Sequence, residues 1–166
     1  LLINLLVINI LSANDVIKLR FEEIIIESNP IKKTNTTYSK KIVNFLQNYI
    51  IGSESLGKFS IKINVKRYDI KIIKPQEKYL FSFSKNSGDK VSLHELILDI
   101  EVKDSAMKVL NLTELKVESF RSFDNIVSLK VRKEVNNEIY SQIEKKLKEN
   151  LKKYFLIKFG DLLIPN

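Results

Sequence analysis

The sequence predicts a two-layer α+β domain: a mostly antiparallel sheet of about four to six strands, packed against one short helix and one long C-terminal helix. Three observations carry this expectation. Apolar and polar residues alternate over 59–66, the signature of a half-buried strand. Between 38 and 49 apolar residues recur at spacings of three and four. From Val135 to Leu151 they recur every four residues, which drifts around a helix and leaves a broad apolar face suited to covering a sheet. The chain has 166 residues, 44% apolar and 29% charged, enough to build and cover one core.

The first element is Leu1–Ala13, LLINLLVINILSA, apolar and without charge. It has the length of a signal-peptide h-region, and Ser12 and Ala13 precede the polar pair Asn14 and Asp15. We expect residues 1–13 to be a signal-peptide remnant and 14–166 a single domain, which places the mature protein in the periplasm or otherwise outside the cytoplasm. A buried first strand or helix is the alternative for this stretch. No other segment is long and apolar enough to span a membrane.

A first strand is expected over 16–27, where Ile17, Leu19 and Phe21 alternate with charged residues and Ile24, Ile25 and Ile26 follow. A polar loop leads to a helix from Tyr38 to Ile51, with Thr37 as its cap and Gly52 just beyond its end. Phe59, Ile61, Ile63 and Val65, then Tyr68, Ile70 and Ile72, mark a long strand bent near Arg67. Tyr79, Phe81 and Phe83 alternate in a further stretch, and Asn86–Asp89 reads as a turn. Leu96, Leu98 and Ile100 set one face of the next strand, which runs through Val102; a turn follows at Asp104 and Ser105. A last strand spans Asn111–Phe120, and the long helix runs from Ser128 to Phe155.

The sequence contains 0 Cys, which excludes disulfides, thiolate catalysis and cysteine metal ligands in this chain. His94 is the single histidine; at a strand start it is expected at a surface or edge, and HELILD is not a zinc-binding HExxH pattern. No nucleophile elbow, phosphate loop or dinucleotide fingerprint occurs. Asp99 and Glu101 share a strand face opposite Leu98 and Ile100, as a solvated charged face requires. We therefore expect no enzyme, no catalytic residues, no metal and no cofactor.

The formal net charge is +8, and between Lys130 and Lys158 nine basic residues stand against four Glu. Such an excess attracts anionic lipid, nucleic acid or an acidic protein. Lys58, Lys62 and Lys66 have even spacing and can share a strand face. With Lys145, Lys148 and Lys152 on the last helix they form the expected anionic-ligand surface. Phe81 and Phe83 could stack bases, although their alternation suits a core equally well.

The layout resembles the LptE family of lipopolysaccharide-assembly proteins in its divergent alphaproteobacterial form. The matching pieces are LLINLLVINILSA, the helix YSKKIVNFLQNYI, the stretch ELILDIEVKDSAMKVLNLTELKVESF and the helix VRKEVNNEIYSQIEKKLKENLKKYF. The family's lipobox cysteine would follow Ala13, where this chain has Asn14, and Asp15 and Val16 replace the glycine and aromatic pair expected next. Lipid attachment at that site is thereby excluded. The resemblance implies a role in outer-membrane biogenesis beside a translocon. Our functional expectation is a non-catalytic cell-envelope protein that binds a protein partner or a lipopolysaccharide-like anionic amphiphile. The alternative is an intracellular basic RNA-binding or ribosome-associated domain, the one case in which nucleic acid would be the partner.

Overall fold

The computed structural model describes residues 17–21, 23–28, 35–52, 59–73, 90–124 and 128–160. The elements are β1 (Ile17–Leu19), β2 (Glu23–Glu27), α1 (Thr36–Tyr49), β3 (Ile50–Gly52), β4 (Phe59–Ile73), β5 (Lys90–Asp104), β6 (Val109–Phe123) and α2 (Leu129–Phe159). The main sheet has the order β2-β4-β5-β6, and β1 and β3 form a separate two-stranded pair. Both helices lie on one face, which makes the two-layer α+β fold that the periodicities predict. The sheet is mixed. β4, β5 and β6 are antiparallel, whereas β2–β4 and β1–β3 are parallel. Parallel neighbours need a long crossover, and α1 lies within both connections.

The expected first strand is two strands, and the sequence shows why. Ile17, Leu19 and Phe21 are buried, at odd positions, whereas Ile24 and Ile26 pack against the core from even positions. A strand cannot change parity without turning, so the chain breaks after Leu19 and the two pieces join different partners. The same switch occurs in β4. Ile61, Ile63 and Val65 are buried before the register shift at Val65/Arg67, and Tyr68 is buried after it.

Three boundary expectations are corrected. The side chain of Asn35, not of Thr37, accepts from the Tyr38 amide at the N-terminus of α1. The helix ends on Ile50, which leads directly into β3, so Gly52 is a strand residue. A Cβ at Gly52 would lie 3.1 Å from Ile24 Cδ1, so the glycine permits close packing of the two strands. The strand expected around Phe81 and Phe83, the turn at 86–89 and the signal-like segment 1–13 lie outside the described residues.

Ser128 caps α2 through its hydroxyl, which accepts from the Val131 amide. Ile139, Ile143, Leu147 and Leu151 are fully buried along the helix. Val131 is exposed, and Val135 is the first buried apolar residue of the helix. α2 runs antiparallel to β6. Arg121 pairs with Glu138, Lys146 Nζ donates to the Glu118 carbonyl at 2.7 Å, and Tyr154 donates to Asn111 at 3.0 Å. The core between the layers joins Leu96, Leu98, Ile100 and Val117 to Ile143, Leu147 and Phe155, with Ile42 and Leu46 from α1.

Candidate functional site

The long helix and α1 meet over the sheet through an aromatic column. Tyr38 of α1 stacks on Tyr68 of β4 with ring centroids 5.1 Å apart, and it contacts Tyr140 of α2 at 5.3 Å. His94 of β5 meets the edges of both Tyr38 and Tyr68. This corrects the expected surface position of His94, which is 0% exposed. It points inward because it shares parity with Leu96, Leu98 and Ile100.

Burial requires that its polar atoms be satisfied, and they are. Tyr68 Oη lies 2.8 Å from Nδ1, and Asn136 Oδ1 lies 3.2 Å from Nε2. Asn136 Oδ1 can only accept, so Nε2 carries the proton and Nδ1 accepts from the tyrosine. Ser92 also donates to Asn136 Oδ1, at 3.0 Å. Burial pushes the His94 pKa below the usual histidine range, and the bond to Asn136 offsets only part of that. Burial also raises the phenols of Tyr38, Tyr68 and Tyr140. The column is a buried, hydrogen-bonded contact between the two helices and the sheet.

Residues of α1 and α2 line an open groove of about 400 Å³ that shares Tyr140 with the column. Lys41, Asn44, Phe45, Asn48 and Tyr49 line one wall, with Tyr140, Glu144 and Lys148 on the other. Phe45 and Tyr49 stack at 5.4 Å. Lys148 Nζ sits 5.5 Å from the Tyr49 ring centre and 5.9 Å from that of Phe45. Lys41 Nζ sits 5.2 Å from Tyr38 and 5.5 Å from Tyr140. Each ammonium is thus held over aromatic faces at cation–π distance. The groove's one lining carboxylate, Glu144, hydrogen-bonds to Tyr140. The groove thus combines aromatic surface from Phe45, Tyr49 and Tyr140 with two ammonium groups.

Of the six expected lysines, the five that are described are divided between the two layers. Lys58 lies outside the described residues. Lys62 and Lys66 do share the open face of the sheet, but acids from other strands reach them there. Lys62 pairs with Glu27 at 2.7 Å, and Lys66 pairs with Glu114 at 3.0 Å and Asp99 at 3.4 Å. Lys145, Lys148 and Lys152 belong to α2, in the layer on the opposite side, and of these Lys148 lines the groove. Lys41 and the aromatic column did not figure among the expected site residues. Their signal was the helical spacing of Tyr38, Lys41, Phe45 and Tyr49 on one side of α1.

Charge follows the same division. The four strands of the main sheet carry eight basic and nine acidic residues, whereas α2 carries nine basic and four acidic and α1 two basic and none acidic. The positive excess of the described chain therefore resides on the helical layer. On the open face, Glu95 is buried among Arg67, Lys71 and Lys116. Burial raises its pKa, but hydrogen bonding from Lys116 and the charge of Lys71 overcome this and bring it to about 2. Among the described residues, no group of three or more acidic, histidine or cysteine side chains is arranged to hold a metal ion. No helix among them is long and apolar enough to cross a membrane.

No protein-family model matches the chain, and no curated protein does. Solved structures do resemble it. A minor lipoprotein from Acinetobacter baumannii is 10% identical, with 81% of this chain and 94% of that chain covered and a TM-score of 0.46. Rare lipoprotein B from Shewanella oneidensis is 7% identical, with 83% and 97% covered and a TM-score of 0.47. An uncharacterized lipoprotein B from Nitrosomonas europaea is 11% identical, with 81% of each chain covered and a TM-score of 0.43. The likeness is distant, extends over several bacterial lipoproteins and does not single out LptE.

Proposed function

We propose that this is a non-catalytic, exported protein of the bacterial cell envelope that holds an anionic amphiphile in the groove between α1 and α2. The observation that carries the proposal is the pair Lys41 and Lys148, each fixed over aromatic rings at the rim of one aromatic-lined groove. An anionic head group between the two ammonium groups, with its chain along Phe45 and Tyr49, would satisfy both halves of the site. A groove of about 400 Å³ suits a small ligand better than a protein partner, the other expected class. The concentration of positive charge on the helical layer would attract such a ligand from a distance. Export is supported by the uncharged apolar run Leu1–Ala13. The resemblance to LptE makes a lipopolysaccharide-like amphiphile the natural class.

Calorimetric titration of the full chain with dodecyl phosphate, below its micelle concentration, tests the site. Dodecyl phosphate should bind, and dodecanol and inorganic phosphate should each bind much more weakly. The double variant Lys41→Glu, Lys148→Glu should lose about tenfold or more in affinity, since each reversal places a like charge beside the head group. Unchanged affinity in that variant, or no binding of dodecyl phosphate, would refute the assignment.

A further inference from the structure

The turn that joins β5 to β6 is built more firmly than its exposure would require. Asp104 Oδ1 accepts from the amides of Ala106 and Lys108, both at 2.9 Å. The Met107 amide donates to the Asp104 carbonyl at 2.9 Å, and the Asp104 amide to the Lys108 carbonyl at 3.1 Å. Met107 stands at the apex with φ of 62°, the left-handed region that favours glycine or asparagine. A long apolar side chain is therefore held where sterics disfavour it, as happens where a turn serves a function.

The side chains that this turn presents are apolar and bare. Met107 is 68% exposed, Val109 and Leu110 are each 47% exposed and Leu112 is 69% exposed. Leu110 has no cross-strand partner, because the register shifts between Val102 and Lys103. Val109, paired with Lys103, and Leu110 at the bulge thus stand exposed at the end of β6. Lys108 lies exposed among them, and Lys103 faces Val109 across the hairpin.

We infer that the β5–β6 hairpin tip is a membrane-insertion element, with Met107, Val109, Leu110 and Leu112 entering the acyl region of an anionic lipid surface. Two observations select lipid as the occupant. At their fractional exposures the four side chains offer roughly 450 Å² in all, about half of the ~800 Å² that one partner brings to a standard protein interface. Lys108 stands within the apolar set, where its long stem can lie along the acyl boundary while its ammonium meets a lipid phosphate. The tip does not involve the groove between the helices, so the two proposals stand or fall separately.

Because the chain has 0 Cys, a single introduced thiol reports from one place. The full chain carrying Leu110→Cys, labelled with an environment-sensitive dye, is mixed with phosphatidylcholine vesicles with or without an equal share of phosphatidylglycerol. A blue shift on vesicles, larger with phosphatidylglycerol, is expected at Leu110→Cys and not at Ile157→Cys, an exposed apolar position on α2. In flotation, Met107→Asp should weaken vesicle binding about tenfold, an apolar-to-charged exchange in the acyl region. Met107→Gly, which accepts the left-handed backbone, should weaken it less. Three results would overturn the inference. These are a dye that remains in water while the protein floats with the vesicles, failure of the unsubstituted chain to bind vesicles, and a shift that arises without lipid as protein concentration rises.

Discussion

Stability should fall on mild acidification because of His94. The folded protein holds this imidazole neutral, accepting from Tyr68 at Nδ1 and donating to Asn136 from Nε2. The titratable and charged groups around it are Tyr38 on α1, Tyr68 on β4 and Tyr140 on α2, with Glu144 behind Tyr140. The sign follows from linkage. The unfolded chain takes up a proton near the ordinary histidine pKa of about 6.5, whereas the folded chain resists until a lower pH. The unfolded state therefore binds more protons in that window. The stabilisation is complete above about pH 6.5 and is lost as pH falls below it, with a slope of at most about 1.4 kcal/mol per pH unit for one proton. Urea denaturation at a series of pH values from 8 to 5 measures this. His94→Gln should flatten the profile over that range. Tyr68→Phe removes the donor to Nδ1 and leaves a fully buried acceptor unsatisfied, a loss of about 1–3 kcal/mol at pH 8. For a chain of this size each kcal/mol lowers Tm by about 2–4 °C. A flat wild-type profile, or a slope that survives in His94→Gln, would refute the account.

Two further outcomes follow from the folded geometry. Asn35→Ala should cost about 1 kcal/mol through loss of the α1 cap, while Thr37→Ala should cost much less; equal costs in thermal melts would contradict the cap assignment. Glu95, brought to about 2 by Lys116 and Lys71 against its burial, should contribute stability that is present above about pH 4.5 and is lost as pH falls toward 2. Acid denaturation of Glu95→Gln should lack that component, and an unchanged acid limb would count against the buried ion cluster. The titration of the groove with dodecyl phosphate and the dye-labelled hairpin tip complete the set.

Much of the architecture was legible in the chain because periodicity is a local property. The alternation of Phe59 to Val65 and the four-residue recurrence from Val135 to Leu151 depend on backbone geometry alone, and both elements are present. The place of His94 was legible too. It lies at an even position with Leu96, Leu98 and Ile100, and parity outweighed the general tendency of a lone histidine toward a surface or edge. The same parity sends Glu95 to the opposite face, where the cations gather.

What sequence could not decide was which distant residues would meet. The even spacing of Lys62 and Lys66 placed them on one face, but their partners come from other strands, with Asp99 and Glu114 lying 33 and 48 positions from Lys66. Sheet register gave Lys62 and Lys66 carboxylate partners. Helix docking brought Lys41 and Lys148 to one groove. Nothing local relates them, and only the packing of α1 beside α2 sets their ammonium groups at the rim of one groove. The chain by itself therefore determined its elements, their inward faces and its net charge, since these depend on residue type and spacing. Tertiary structure decided which charged and aromatic groups meet, because Coulomb and cation–π interactions act over a few ångströms between groups that the chain alone keeps far apart.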